Sequence, residues 1–234
     1  MIYNENEIAQ RIATVRAQIE RATEQAGREV GAVSLMLVTK TVEAKRIIQA
    51  LECGEHLIGE NKVQELQDKQ ARLEGQRYEA HLIGHLQTNK VKEVIGYAQC
   101  IQSLDRLKLA DKLQQRLEFE DKTIEALVQV NTSAEASKFG VAPDKALALI
   151  GQLRDYERIN IRGLMTIATY TEDEREIRRC FQLLKTLQQK AQQRYGDYGD
   201  FKTLSMGMSK DMKIAIEEGS TIVRLGRAIF GARD

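Results

Sequence analysis

The 234-residue sequence has no tryptophan, one proline (Pro143), three cysteines and three histidines. Each scarcity closes off a class of protein. Cys53, Cys100 and Cys180 lie far apart, with no C-x-x-C pair and no histidine at zinc-ligand spacing, so neither a disulfide framework nor a metal site is expected. They read as small apolar fillers in a reduced, cytoplasmic compartment. No apolar run approaches the roughly 18 residues of a membrane span, and the N-terminal stretch lacks the basic and apolar regions of an export signal. Thirty-five Lys and Arg against 34 Asp and Glu leave a formal charge of +1 without a like-charge block, which argues against nucleic acid and membrane as partners. No Pro- or Ser-rich linker interrupts the chain, so one domain over residues 1–234 is expected, and a chain this long folds without covalent staples.

What is present is a repeating alternation. Ile8, Ile12, Val15, Ile19, Ala22 and Ala26 recur at spacings of three and four, the period of one helical face, and Gly27 supplies the stop. LMLV (35–38) follows, too short for a helix and apolar on successive residues, as a strand buried on both faces would be. Similar runs return at 56–59, 81–84, 100–104, 126–131, 161–165, 202–206 and 221–226, and each pair is separated by one helical pattern. Pro143 falls at a helix start, where its missing N–H costs nothing. Eight strand-then-helix units of about 29 residues predict a single α/β domain, a (β/α)8 TIM barrel with an extra N-terminal helix. A doubly wound parallel sheet is the alternative.

In such a barrel the chemistry sits at the C-terminal ends of the strands. Lys40, directly after LMLV, would project an amine from the barrel mouth, where partial desolvation favours the neutral, nucleophilic form. A lysine snorkelling to solvent from a strand end fits the same position. SMGMS (205–209) and RLGR (224–227) form small-residue turns after strands seven and eight, the recurrent phosphate site of these barrels, with Ser205 and Ser209 as hydroxyl donors. Tight turns at Gly207 and Gly226, with Ser209 as a helix cap, explain the same residues without a ligand. Arg224 alternates against Val223 and Leu225 and so points into the barrel, towards a ring nitrogen, a ligand carboxylate or a structural ion pair. His81 and His85 lack an accompanying carboxylate pair and read as hydrogen-bonded barrel-end residues, and Met206 and Met208 as packing.

Seven ordered motifs carry a likeness. LVTK ending at Lys40, GENKVQE (59–65), HLIGHLQTNK (81–90), NTSAEASKFG (131–140), RGLMTI (162–167), SMGMSKDM (205–212) and RLGRAIFGARD (224–234) together resemble the pyridoxal phosphate homeostasis protein family. The resemblance implies the barrel of alanine racemase (fold type III) without its second domain, binding pyridoxal 5′-phosphate (PLP). It implies that Lys40 holds PLP as a Schiff base, that Arg224 faces the pyridine nitrogen and that Asn61 lines the cofactor. Ser205, Ser209, Gly226 and the backbone of Arg227 would cradle the phosphate, with Lys138 near the entrance. Many relatives carry Ser or Thr where this chain has Arg227, so the resemblance implies that one side-chain hydroxyl contact to the phosphate is absent, replaced by charge or, if Arg227 turns outward, by nothing.

An arginine partner keeps the ring nitrogen unprotonated and weakens the electron sink that carbanion chemistry needs, and the tyrosine used for racemisation is implied to belong to the domain missing here. The expectation is therefore a monomeric PLP-binding protein of vitamin B6 and amino-acid homeostasis, with no catalytic residue, no metal, and apo-forms of PLP enzymes as partners. The alternatives are a PLP-dependent racemase or decarboxylase acting on a small amino acid, and a PLP-free barrel enzyme using Lys40 on a phosphorylated sugar.

Overall fold

A computed structural model describes residues 5–231, with side chains from residue 7. The readings that rest on residues 1–4 and on Ala232–Asp234, the end of the last motif, lie outside those residues. Helix α1 (Glu5–Gln25) buries Ile8, Ile12, Val15, Ile19 and Ala22 on one face, and the chain leaves it through Gly27 at a φ of 65°. Then follow β1 (Ser34–Val38), α2 (Ala44–Glu52), β2 (Leu57–Glu60), α3 (Val63–Gln70), β3 (Glu79–Leu82), α4 (Val91–Val94), β4 (Cys100–Leu104) and α5 (Leu107–Phe119). The second half runs β5 (Ile124–Gln129), α6 (Pro143–Gln152), β6 (Ile159–Met165), α7 (Glu174–Tyr195), β7 (Thr203–Ser205), α8 (Met212–Glu217), β8 (Ile222–Leu225) and α9 (Arg227–Phe230).

The strands pair in parallel in chain order, and β8 pairs back on β1 with Met36 opposite Arg224, closing an eight-stranded barrel. Closure gives the (β/α)8 architecture and excludes the doubly wound sheet, which has two open edges. Alternation divides the interior in two. Leu35, Leu37, Ile58, Ile101, Val128, Leu164, Leu204, Val223 and Leu225 join the core between sheet and helices. The residues between them, Met36, Cys100, Leu127, Met165 and Arg224, are equally buried but turn into the barrel. Gly59 makes room there, since a Cβ would stand 2.7 Å from Met36 Sδ. The leading helix closes the seam: α1 packs on α2, α8 and α9, and Arg28 donates to the carbonyls of Ile216 and Ser220 at 2.9 and 2.8 Å.

Three strands begin earlier than the apolar runs predict, at Glu79, Ile124 and Ile159. The ladder continues through Glu79, Glu125 and Asn160, polar residues at the N-terminal end of the barrel that a search for apolar runs passes over. The fifth strand also ends earlier, at Gln129, because the Asn131 N–H turns to the carbonyl of Val141. Two packing expectations fail. Cys53 ends α2 exposed, its thiol directed at the carbonyl of Gln49, and Met208 is exposed while Met206 is fully buried. Among the described residues no helix is long and apolar enough to cross a membrane.

Candidate functional site

Lys40 leaves the end of β1 between two clamped peptides. On one side Thr39 donates its N–H to Gly59 O (3.0 Å) and its hydroxyl to Glu60 Oε1 (2.6 Å). On the other the Thr41 N–H is held by Glu65 Oε2 at 2.6 Å, although Thr41, a β-branched residue, sits at a φ of 61°. The buried ammonium of Lys69 joins both sides, donating to Thr39 O (2.7 Å), Glu60 Oε1 (2.5 Å) and Glu65 Oε2 (3.1 Å). Burial pushes the Glu60 carboxyl up against the opposing pull of Lys69, whereas at Glu65 the Thr41 N–H and Lys69 outweigh burial and hold the carboxyl below its usual range. Lys40 itself is half-buried on this rigid base.

Arg224 points into the barrel as alternation predicts. Its guanidinium donates to Ser205 Oγ (2.9 Å) and to the carbonyl of Thr166 (2.8 Å), both neutral, and among the described residues it has no carboxylate within ion-pair distance. Burial lowers its pKa to about 10 against the raising influence of Asp211, so the group stays charged at neutral pH. A buried cation held only by neutral acceptors is expensive, and its remaining N–H donors are available to a further acceptor. The hydroxyl proton of Ser205 goes to Gln102 Oε1 at 2.6 Å, so this side chain serves the arginine and has no second proton for a phosphate.

The loops after β7 and β8 form the small-residue turns. Gly207 has a φ of 96°, and a Cβ there would stand 2.5 Å from Ala215 Cβ; neither condition admits a side chain. Asp211 pins this loop by accepting the Met208 N–H at 2.5 Å, and Gly207 O accepts the Arg224 N–H at 2.9 Å. Ser209 is exposed at its tip. Gly226 caps α9, with Arg227 in the first turn and its side chain exposed. The opening N–H groups of a helix have no carbonyl inside it to bond.

Asn61, Lys138 and His85 stand in the loops at the rim, whereas His81 is buried within β3. Asn61 is exposed, with its backbone against Gly84, whose Cβ would lie 2.1 Å from Asn61 O. Lys138 bridges the loops after β5 and β6, donating to Glu135 Oε1 (2.6 Å) and Ala168 O (2.7 Å). His85 stacks on Phe139, centroids 3.9 Å apart, while His81 is hydrogen-bonded through both ring nitrogens. Sequence reasoning missed Lys69, Gln102, Thr166 and Asp211. Gln102 was detectable as a polar residue within the apolar run CIQSL, and Thr166 as the residue just past the sixth. Among the described residues no group of three or more His, Cys, Asp and Glu is placed to hold a metal.

A parallel barrel with a lysine at the end of β1, an inward arginine on β8 and glycine turns after the last two strands defines a class, and comparison with known proteins agrees with it. The alanine racemase N-terminal domain model matches residues 11–234. A curated relative from Aquifex aeolicus, called pyridoxal phosphate homeostasis protein, is 39% identical over 224 residues, covering 96% of this chain and 97% of its own. The chain belongs to this family. The structure of PipY from Synechococcus elongatus with PLP bound superposes with a TM-score of 0.84 at 31% identity, covering 96% of this chain and all of PipY. An alanine racemase from Clostridium difficile shares the fold alone, at a TM-score of 0.72 and 14% identity, with 93% of this chain on 56% of the enzyme.

Proposed function

We propose that this protein binds PLP reversibly in the barrel mouth and serves PLP homeostasis as a carrier rather than as a racemase. The observation that carries the reading is Arg224, a buried guanidinium with spare donors and no carboxylate within ion-pair distance among the described residues, on the strand beside Lys40. The residues fit the cofactor. Arg224 is suited to an acceptor nitrogen, and the glycine turns at Gly207 and Gly226, with the start of α9 and the Ser209 hydroxyl, suit a phosphate. PLP supplies an aldehyde that condenses reversibly with an amine.

The chain's own residues then divide the work. Lys40 provides the amine, and the Glu60, Lys69 and Glu65 cluster fixes the peptides on either side of it. Arg224 donates and cannot accept, so the nitrogen it meets stays unprotonated. That arrangement disfavours carbanion chemistry and supports a carrier. Asn61 lines the mouth, the backbone of Arg227 joins the phosphate cradle without the side-chain hydroxyl of many relatives, and Lys138 stands near the entrance. Delivery to apo-forms of PLP enzymes by a monomeric, cytoplasmic protein completes the proposal.

Addition of PLP to the purified protein is expected to give a saturable visible absorption band that Lys40→Ala abolishes while circular dichroism is unchanged. A band that persists in Lys40→Ala would overturn the assignment of Lys40. Loaded protein should also activate an unrelated apoenzyme in the presence of a scavenger of free PLP. Turnover of alanine or serine at enzyme-like rates would instead favour the racemase or decarboxylase alternative.

A further inference from the structure

Gln102 lies at the middle of β4, fully buried, and its two amide atoms are bound to different strands. Its Oε1 accepts from Ser205 on β7 at 2.6 Å, three strands away around the barrel, so this hydrogen bond crosses the interior. Its Nε2 lies 2.8 Å from His81 Nδ1 on β3, and His81 Nε2 lies 2.6 Å from Glu79 Oε1. With Arg224 bonded to Ser205, five side chains form one continuous line from the β8 end of the mouth to the N-terminal end of β3.

The hydrogen bonds of the line run in one direction, from Arg224 to Glu79. A guanidinium only donates, so Ser205 Oγ accepts from Arg224, and the Ser205 hydroxyl gives its own proton to Gln102 Oε1. The amide oxygen is thereby placed towards Ser205 and the amide nitrogen towards His81. Because that nitrogen also only donates, His81 Nδ1 must be the bare acceptor, and the ring proton sits on Nε2 and is given to Glu79. The hydrogen bond from His81 is the leading influence holding the Glu79 carboxyl below its usual range, which keeps it an acceptor. A cation therefore heads the line and a carboxylate ends it, and no donor meets a donor.

We propose that Gln102 is a positioning residue for Arg224: bound to Ser205 and His81 at once, it fixes the Ser205 hydroxyl as an acceptor and so holds the guanidinium in one orientation towards the cofactor's ring nitrogen. The inference rests on the reading of Arg224 given above. Gln102 does not touch the ligand and acts through Ser205. Leucine at this position removes the acceptor and frees the Ser205 hydroxyl to rotate, so its oxygen still accepts from the arginine but no longer in one fixed orientation. Glutamate keeps an oxygen for Ser205, and its second oxygen draws a proton onto His81 Nδ1, so the guanidinium is held as before while the imidazole carries both protons.

The test combines two readouts. In the protein without PLP, 15N chemical shifts of His81 are expected to show the Nε2–H tautomer in the wild type and a doubly protonated ring in Gln102→Glu. In PLP titrations, Gln102→Leu should weaken binding roughly tenfold, about the worth of one charge-assisted hydrogen bond, and shift the visible band of the bound cofactor. Gln102→Glu should restore both to within about threefold of wild type, a rescue that a merely structural role would not give. A wild-type His81 protonated on Nδ1, or Gln102→Leu with unchanged affinity and band, would overturn the proposal. Failure of the wild type to bind PLP would overturn the functional reading instead, while the tautomer still reports on the hydrogen-bond line.

Discussion

Lys69 is a cation that the sequence presents as one more charged residue of α3, and the fold turns it into the keystone beneath Lys40. Its ammonium satisfies one carbonyl and two carboxylates, and Glu60, with no exposed surface, has no other cation within ion-pair distance among the described residues. Breaking a buried pair by removing one partner leaves the other charge uncompensated, so Lys69→Met is expected to cost about 3 to 5 kcal/mol in denaturant unfolding. Glu60→Gln in the same chain should recover part of that loss, because the neutral amide removes the stranded charge. A loss no greater than that of an exposed lysine would show that the pairing contributes little. At this scale Lys40 and Arg224 were legible, being polar residues at strand ends or out of step with apolar neighbours. Lys69 was not, because nothing in a helical pattern says that one of its lysines bends under the preceding strand.

At the scale of the elements, the strands were more legible than the loops that carry the site. Periodicity located each apolar run but not the polar ends of β3, β5 and β6, since a parallel ladder bonds through the backbone whatever the side chain. The mouth is shaped by contacts between loops, among them the stack of His85, after β3, on Phe139, after β5. Burial lowers the His85 pKa below 6.5, the Arg106 charge adds to this, and Asp105 opposes it. A histidine whose folded pKa is depressed contributes stability that is complete above its ordinary value and lost as pH falls through the window below it. The stack should therefore loosen below about pH 6.5 and hold at neutral pH. In a titration followed by NMR, His85 is expected to protonate below the ordinary histidine value, and Phe139→Ala to bring it closer to that value by admitting water. A His85 that titrates normally in the wild type would contradict this description of the mouth.

For the whole molecule, eight units of about 29 residues were enough to read a barrel, because one pattern repeated eight times is a stronger signal than any of its boundaries. The interior was harder to read. Alternation says that Gln102, His81, Ser205 and Arg224 face inward, but pairing Gln102 with Ser205, 103 residues away, requires the closed barrel. On the proposed reading one lysine, held by a buried charge cluster, and one arginine, held by a hydrogen-bond line, meet the same ligand. The most direct measurement is borohydride reduction of the PLP-loaded protein followed by peptide mapping. A single adduct on the peptide containing Lys40 is expected; an adduct on Lys138 or another lysine, or none at all, would overturn the assignment.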